Sequence, residues 1–165
     1  MSLREDKNGF TLIELLAVIV VLAVIIMIAA SNIGSMSTTA RKNVLAVEGN
    51  SLVDGAKTAY QLAVLNGEIT TGTACFSLTY LNNEGFFDKG PDSDPSYSGS
   101  VLVTPDAAGK KYTYKFWISN SSFTFVNVEY GATGSSASNG ATASETCGDA
   151  SGLTLFTGSG INKVS

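Results

Sequence analysis

The chain has no histidine. That absence removes the Ser–His and Cys–His nucleophile systems and every histidine-containing metal site. Charge is scarce as well: Asp, Glu, Lys and Arg make up 15% of the 165 residues, and the net charge is −4. No global basic footprint therefore points to nucleic acid. Proline occurs three times, first at Pro91, so nothing before that position carries a proline break. Cysteine occurs twice, at Cys75 and Cys147, which excludes a dense disulfide scaffold and allows one bridge at most.

Against these absences stands one long apolar run. From Phe10 to Ala30, 21 residues, only Thr11 and Glu14 are polar. As a helix such a run spans roughly 31 Å at about 1.5 Å per residue, the hydrocarbon thickness of a bilayer. A lone carboxylate inside it costs about 1–3 kcal/mol, less near the interface than at the midplane. Glu14 is thus a candidate functional residue whose partner has to be found.

Lys7-Asn8-Gly9-Phe10-Thr11-Leu12-Ile13-Glu14 resembles the N-terminal signature of type IV pilins and the related pseudopilins of secretion and competence systems. Those chains carry a short polar leader ending in Gly, then Phe, Thr, Leu, an aliphatic residue, Glu and an apolar helix. The resemblance is close over residues 1–30 and extends to the rest only in layout. It implies that a prepilin peptidase removes the leader 1–9 by cutting between Gly9 and Phe10, and that Phe10 is then N-methylated. It also implies packing of the apolar segments into a helical fibre, with the freed Phe10 amine meeting Glu14 of a neighbouring copy. The leader departs from the usual basic pattern, because Arg4, Glu5, Asp6 and Lys7 sum to zero. Two other readings stay open. A secretory signal peptide cut at Ala29-Ala30-Ser31 accounts for the run but not for Glu14 or its length. A plain single-pass anchor accounts for the length but not for Gly9-Phe10 or Glu14.

Beyond the run, Met36, Ala40, Val44, Val47, Leu52, Ala56, Ala59 and Ala63 recur mostly every three or four residues, an amphipathic stripe. Asn66-Gly67 then ends the pattern. The spacing predicts one helix from about Phe10 to Leu65, with a flexible joint allowed near residues 31–35. Residues 67–98 read as a connection, with a short helix or turn at Phe76–Leu81. Val101–Val103, Lys111–Ser119 and Phe123–Tyr130 read as strands, the last two as an antiparallel hairpin across Asn120-Ser121-Ser122. The apolar residues of Phe123–Tyr130 change face between Phe125 and Val126, which calls for either a bulge or burial on both sides. Gly131–Gly152 has linker composition, Leu153–Phe156 resumes a strand pattern that is expected to close the sheet, and Ile161–Ser165 carries no signal.

In an exported protein the pair Cys75 and Cys147 suggests a disulfide, and many pilins staple their C-terminal region in this way. Asp88, Asp92 and Asp94 match no dedicated calcium loop, and Pro91 and Pro95 explain them as turns, so no metal site and no cofactor is assigned. Lys110, Lys111 and Lys115, interleaved with Tyr112, Tyr114 and Trp117, read as a solvated sheet face rather than a nucleic-acid platform.

The resulting expectation is an α+β, type IV pilin-like fold in which a long N-terminal helix packs on a small antiparallel sheet head. Residues 1–9 form the leader, 10–34 the transmembrane or fibre-core half of the helix, 35–66 its amphipathic half, and 67–165 the head. The function expected is a structural, non-enzymatic subunit of a type IV pilus-like surface fibre, as a major pilin. Its partners are prepilin peptidase, identical subunits and the inner-membrane assembly machinery, with a single-pass membrane stage before the fibre. A pseudopilin of a type II secretion or competence system is the alternative within the resemblance. A membrane-anchored binding module that never polymerises is the alternative outside it.

Overall fold

A run that is apolar all round and a stripe that is apolar on one side call for different surroundings, and one helix, α1 (Leu12–Leu65), carries both. The computed structural model describes residues 11–69, 72–88, 97–140, 143–148, 153–157 and 160–163. It divides into two compact units, Met1–Thr38 and Thr39–Ser165.

In the first unit every residue from Thr11 to Ala30 is exposed, including the large apolar side chains from Leu12 to Ile28. By length and composition this part of α1 is able to cross a membrane. Helix assignment continues unbroken through Asn32 and Gly34, so their low propensity, under about 1 kcal/mol each, does not end it.

In the second unit α1 lies on a sheet. Its buried line is Leu45, Ala46, Leu52, Val53, Ala56, Ala59, Tyr60 and Ala63. The expected stripe is right from Leu52 onward and wrong before it, since Met36, Val44 and Val47 are exposed. Spacing alone admitted either face there; the helix instead turns buried Gly49 toward the sheet, where a Cβ would strike the Phe116 ring. α1 ends at Gly67 (φ 73°), whose amide donates to the Val64 carbonyl at 3.1 Å while the Glu68 amide reaches the Ala63 carbonyl at 2.9 Å. That is a Schellman closure, and a left-handed residue at its centre is what selects glycine.

The strands are β1 (Ala74–Ser77), β2 (Ser98–Pro105), β3 (Tyr112–Ser119), β4 (Phe123–Glu129), β5 (Ser138–Asn139), β6 (Thr154–Thr157) and β7 (Gly160–Lys163). They form one sheet in the order β5-β4-β3-β2-β1-β6-β7. All neighbours pair antiparallel except β1 and β6, which are parallel. The fold is α+β with a predominantly antiparallel sheet, as expected. Three details depart from the sequence reading. Phe76–Leu81 is not one short helix: β1 ends at Ser77, which caps α2 (Leu78–Asn83) by accepting the Tyr80 amide at 3.0 Å. The sheet does not close at β6, since β7 pairs outside it. The parallel pair is the third, and it requires a crossover rather than a tight turn.

Alternation along the strands gives the sheet two apolar faces. Phe76, Val101, Val103, Phe116, Ile118, Phe125 and Phe156 are buried with the α1 line in the main core. Cys75, Trp117, Ala143, Cys147 and Leu153 form a smaller cluster, with Leu102 and Leu155 against it. Trp117 belongs to this second core and is only 7% exposed, so the face that the lysines suggested was solvated is partly covered. The expected bulge exists: Phe116 pairs with Val128 but Ile118 with Phe125, and Asn127 takes φ 54° in between.

Candidate functional site: the start of the apolar helix and the fastened arm of the head

Two places bring polar chemistry to defined positions. The first is the start of α1. Thr11 precedes the first helical residue, and Glu14 is the third residue of the helix. The Thr11 amide and hydroxyl both donate to Glu14 Oε2 at 2.9 Å, and the Glu14 amide lies 3.4 Å from Thr11 Oγ1. This reciprocal pair is a capping box, written in the sequence as Thr-x-x-Glu, a local signal that the search for a distant partner of Glu14 passes over. It means that the carboxylate is not bare. Both bonds from Thr11 land on Oε2, so among the described residues the capping box does not use Oε1. Gly9 and Phe10 lie outside the described residues, and so do Asp92 and Asp94.

The second place is residues 143–148. Cys75 and Cys147 are joined by a disulfide with Cα atoms 6.0 Å apart. Cys75 is fully buried and Cys147 is 3% exposed. Three serines beneath the arm complete the attachment. Ser119 Oγ accepts the Ala143 amide at 2.8 Å and is hydrogen-bonded to Ser98 Oγ at 2.9 Å. Ser100 Oγ donates to the Ser144 carbonyl at 2.6 Å and accepts the Cys147 amide at 3.1 Å. Glu145 Oε1 accepts the Gly99 amide at 2.8 Å. Backbone groups that a linker-like composition would leave to water are thus paired inside the protein. No sequence signal pointed to Ser98, Ser100 or Ser119, because isolated serines in strands have no distinctive spacing.

On the helix side, Lys57 Nζ sits 2.7 Å from Asp54 Oδ1 and 3.6 Å from the Tyr130 ring centroid. Burial works against its charge, but the Asp54 and Tyr130 oxygens outweigh that and hold its pKa above the ordinary lysine value. A second strap comes from asparagines on α1. Asn50 accepts the Gly131 amide at 2.8 Å and donates to the Ala132 carbonyl at 3.2 Å, while Asn43 accepts the Gly134 amide at 3.1 Å. Lys115 pairs in register with Glu129. A cleft of about 490 Å³ opens beside Tyr60 and Tyr112, and its carboxylate, Asp106, is engaged by its own turn.

Residues 5–30 match the family model of the prokaryotic N-terminal methylation motif, the prepilin signal of type IV pilin-type proteins. Neither the curated proteins nor the solved structures contain a match to the chain. The methylation motif marks structural rather than enzymatic proteins, and it implies processing by a prepilin peptidase.

Proposed function

We propose that this chain, which carries a type IV pilin-type prepilin signal, is the major structural subunit of a surface fibre. The observation that carries the reading is the conjunction, over one stretch, of the methylation motif at residues 5–30 with a fully exposed apolar helix. An exposed run of this kind needs lipid or other apolar helices around it, and a bilayer followed by a fibre core provides each in turn. Cleavage between Gly9 and Phe10 frees an amine with a reference pKa near 8, cationic at neutral pH, and one methyl group leaves that charge in place. Glu14 of the neighbouring copy receives it on Oε1, the oxygen that the capping box does not use. Each charge alone is costly in an apolar surround, whereas the matched pair offsets much of both costs and sets the axial register of the incoming copy.

The test is mass spectrometry of sheared surface fibres from cells that make the protein, with electron microscopy of the same material. Methylated Phe10 at the N-terminus of the most abundant fibre component is the expected result. A start at Ser31 or Asn32 instead establishes a signal peptide. Trace amounts within fibres built of another chain establish a minor or pseudopilin role.

A further inference from the structure

Asn120-Ser121-Ser122 is the connection between β3 and β4, and it is also the chain's one Asn-x-Ser/Thr triplet. No other asparagine in the sequence has Ser or Thr two residues on. That pattern is the acceptor motif for N-linked glycans, and it is informative where it falls on an exposed loop of an exported protein. Here Ser121 and Ser122 are exposed and Asn120 is half-buried at the turn. Asn120 Oδ1 accepts the Ser122 amide at 3.0 Å and the Phe123 amide at 2.8 Å. Both bonds use the side-chain oxygen, so the nitrogen that a glycan would occupy is not engaged in holding the turn.

We propose that Asn120 is the attachment site of an N-linked glycan. The co-reactant is a sugar carried on a polyprenyl pyrophosphate, presented by a membrane-bound transferase. Asn120 Nδ2 attacks the anomeric carbon, a carbon–nitrogen bond forms, and the carbon–oxygen bond to the pyrophosphate breaks. The lipid pyrophosphate leaves with the electron pair, and one amide proton passes to a base of the transferase. No oxidation or reduction is involved. The hydroxyl of Ser122 is the recognition element, as the motif requires. The inference rests on the proposed export of the head, which the test reads separately.

Digestion after lysine and glutamate releases Phe116–Glu129, a peptide with no internal cut site that contains Asn120. Material from the surface of cells that make the protein should give this peptide with an added mass of whole sugar units located on Asn120. Ser122→Ala should abolish the addition and Ser122→Thr should keep it. Ser122→Ala leaves the turn intact, because both bonds to Asn120 come from backbone amides. A bare wild-type peptide overturns the proposal. So does an addition that persists in Ser122→Ala, which places the sugar on a hydroxyl. The N-terminal peptide of the same digest separates the causes. A bare Asn120 beside a methylated Phe10 in surface material sinks the glycan alone, whereas a bare Asn120 in chains that retain residues 1–9 and are found only in the cell fraction, with none at the surface, sinks the export reading with it.

Discussion

At Glu14 the local cap and the proposed pairing with a neighbouring copy use different oxygen atoms, and that makes the two roles separable by substitution. Glutamine serves a capping box as well as glutamate does, so Glu14→Gln keeps the helix start and removes only the charge. We expect Glu14→Gln and Glu14→Ala to be cleaved after Gly9 near the normal rate, and both to lose most fibres by electron microscopy at equal subunit levels. Normal fibres in Glu14→Gln cells reduce Glu14 to a cap. Two carboxyls of the head have pKa values displaced in opposite directions. The Lys111 and Lys110 amides beside Asp106 hold its pKa below the ordinary carboxylate value, whereas burial pushes that of Glu48 up. Stability from Asp106 is therefore present above its unfolded pKa, about 3.9, and is lost as pH falls through the folded value. Ionised Glu48 is a burden at neutral pH, and the burden is relieved as pH falls through its raised pKa. Glu48→Gln should raise the melting temperature at pH 7, with the gain vanishing below the unfolded value of about 4.3. Asp106→Asn should flatten the acid limb of the melting curve. Unchanged melting of Glu48→Gln at pH 7 contradicts this account of its burial.

Among the elements, α1 depends on small residues where it meets the rest of the head. A Cβ at Gly55 would collide with the carbonyl oxygen of Phe86, a backbone atom that cannot rotate away, whereas Gly34 has nothing near it. Gly55→Ala should cost about 1–3 kcal/mol by overpacking, although alanine is the better helix former. Gly34→Ala should leave the head's melting unchanged, and equal effects at the two positions contradict the close approach. The arm 143–148 has its own reporter. Trp117 is the chain's one tryptophan and lies in the cluster with Cys75 and Cys147. Closing a loop with 72 residues of separation stabilises by about 4 kcal/mol in the chain-entropy model. Replacing both cysteines by alanine should lower stability by up to that amount. It should also brighten and red-shift the tryptophan emission before the main core unfolds. An unshifted spectrum means that the three serines hold the arm unaided.

For the whole molecule, the division into Met1–Thr38 and Thr39–Ser165 separates the exposed apolar run from the unit that buries its own core. A chain beginning at Ser35 keeps the second unit and drops the exposed apolar residues from Leu12 to Ile28. It should be a soluble monomer by sedimentation, with a native near-ultraviolet spectrum. Aggregation or a molten spectrum implies that the apolar half of α1 is needed for the head to fold.

Local signals were enough for several features: α1 to within two residues, its end at Gly67, the β3–β4 hairpin and its bulge. Each is governed by a rule that operates within a few residues, namely periodicity, a left-handed terminator or a change of face. The Glu14 cap was equally local and was legible as Thr-x-x-Glu. What the sequence could not determine was set by contacts distant in the chain. β1 is four residues buried on both sides, so it shows no alternation to read. Val44 and Val47 match the helical period as well as Leu45 and Ala46 do, and the neighbouring sheet decided which pair is covered. The arm reads as linker in isolation. Its order comes from Ser98, Ser100 and Ser119 and from Cys75, residues 24 to 72 positions earlier, whose partners exist only once the sheet has formed.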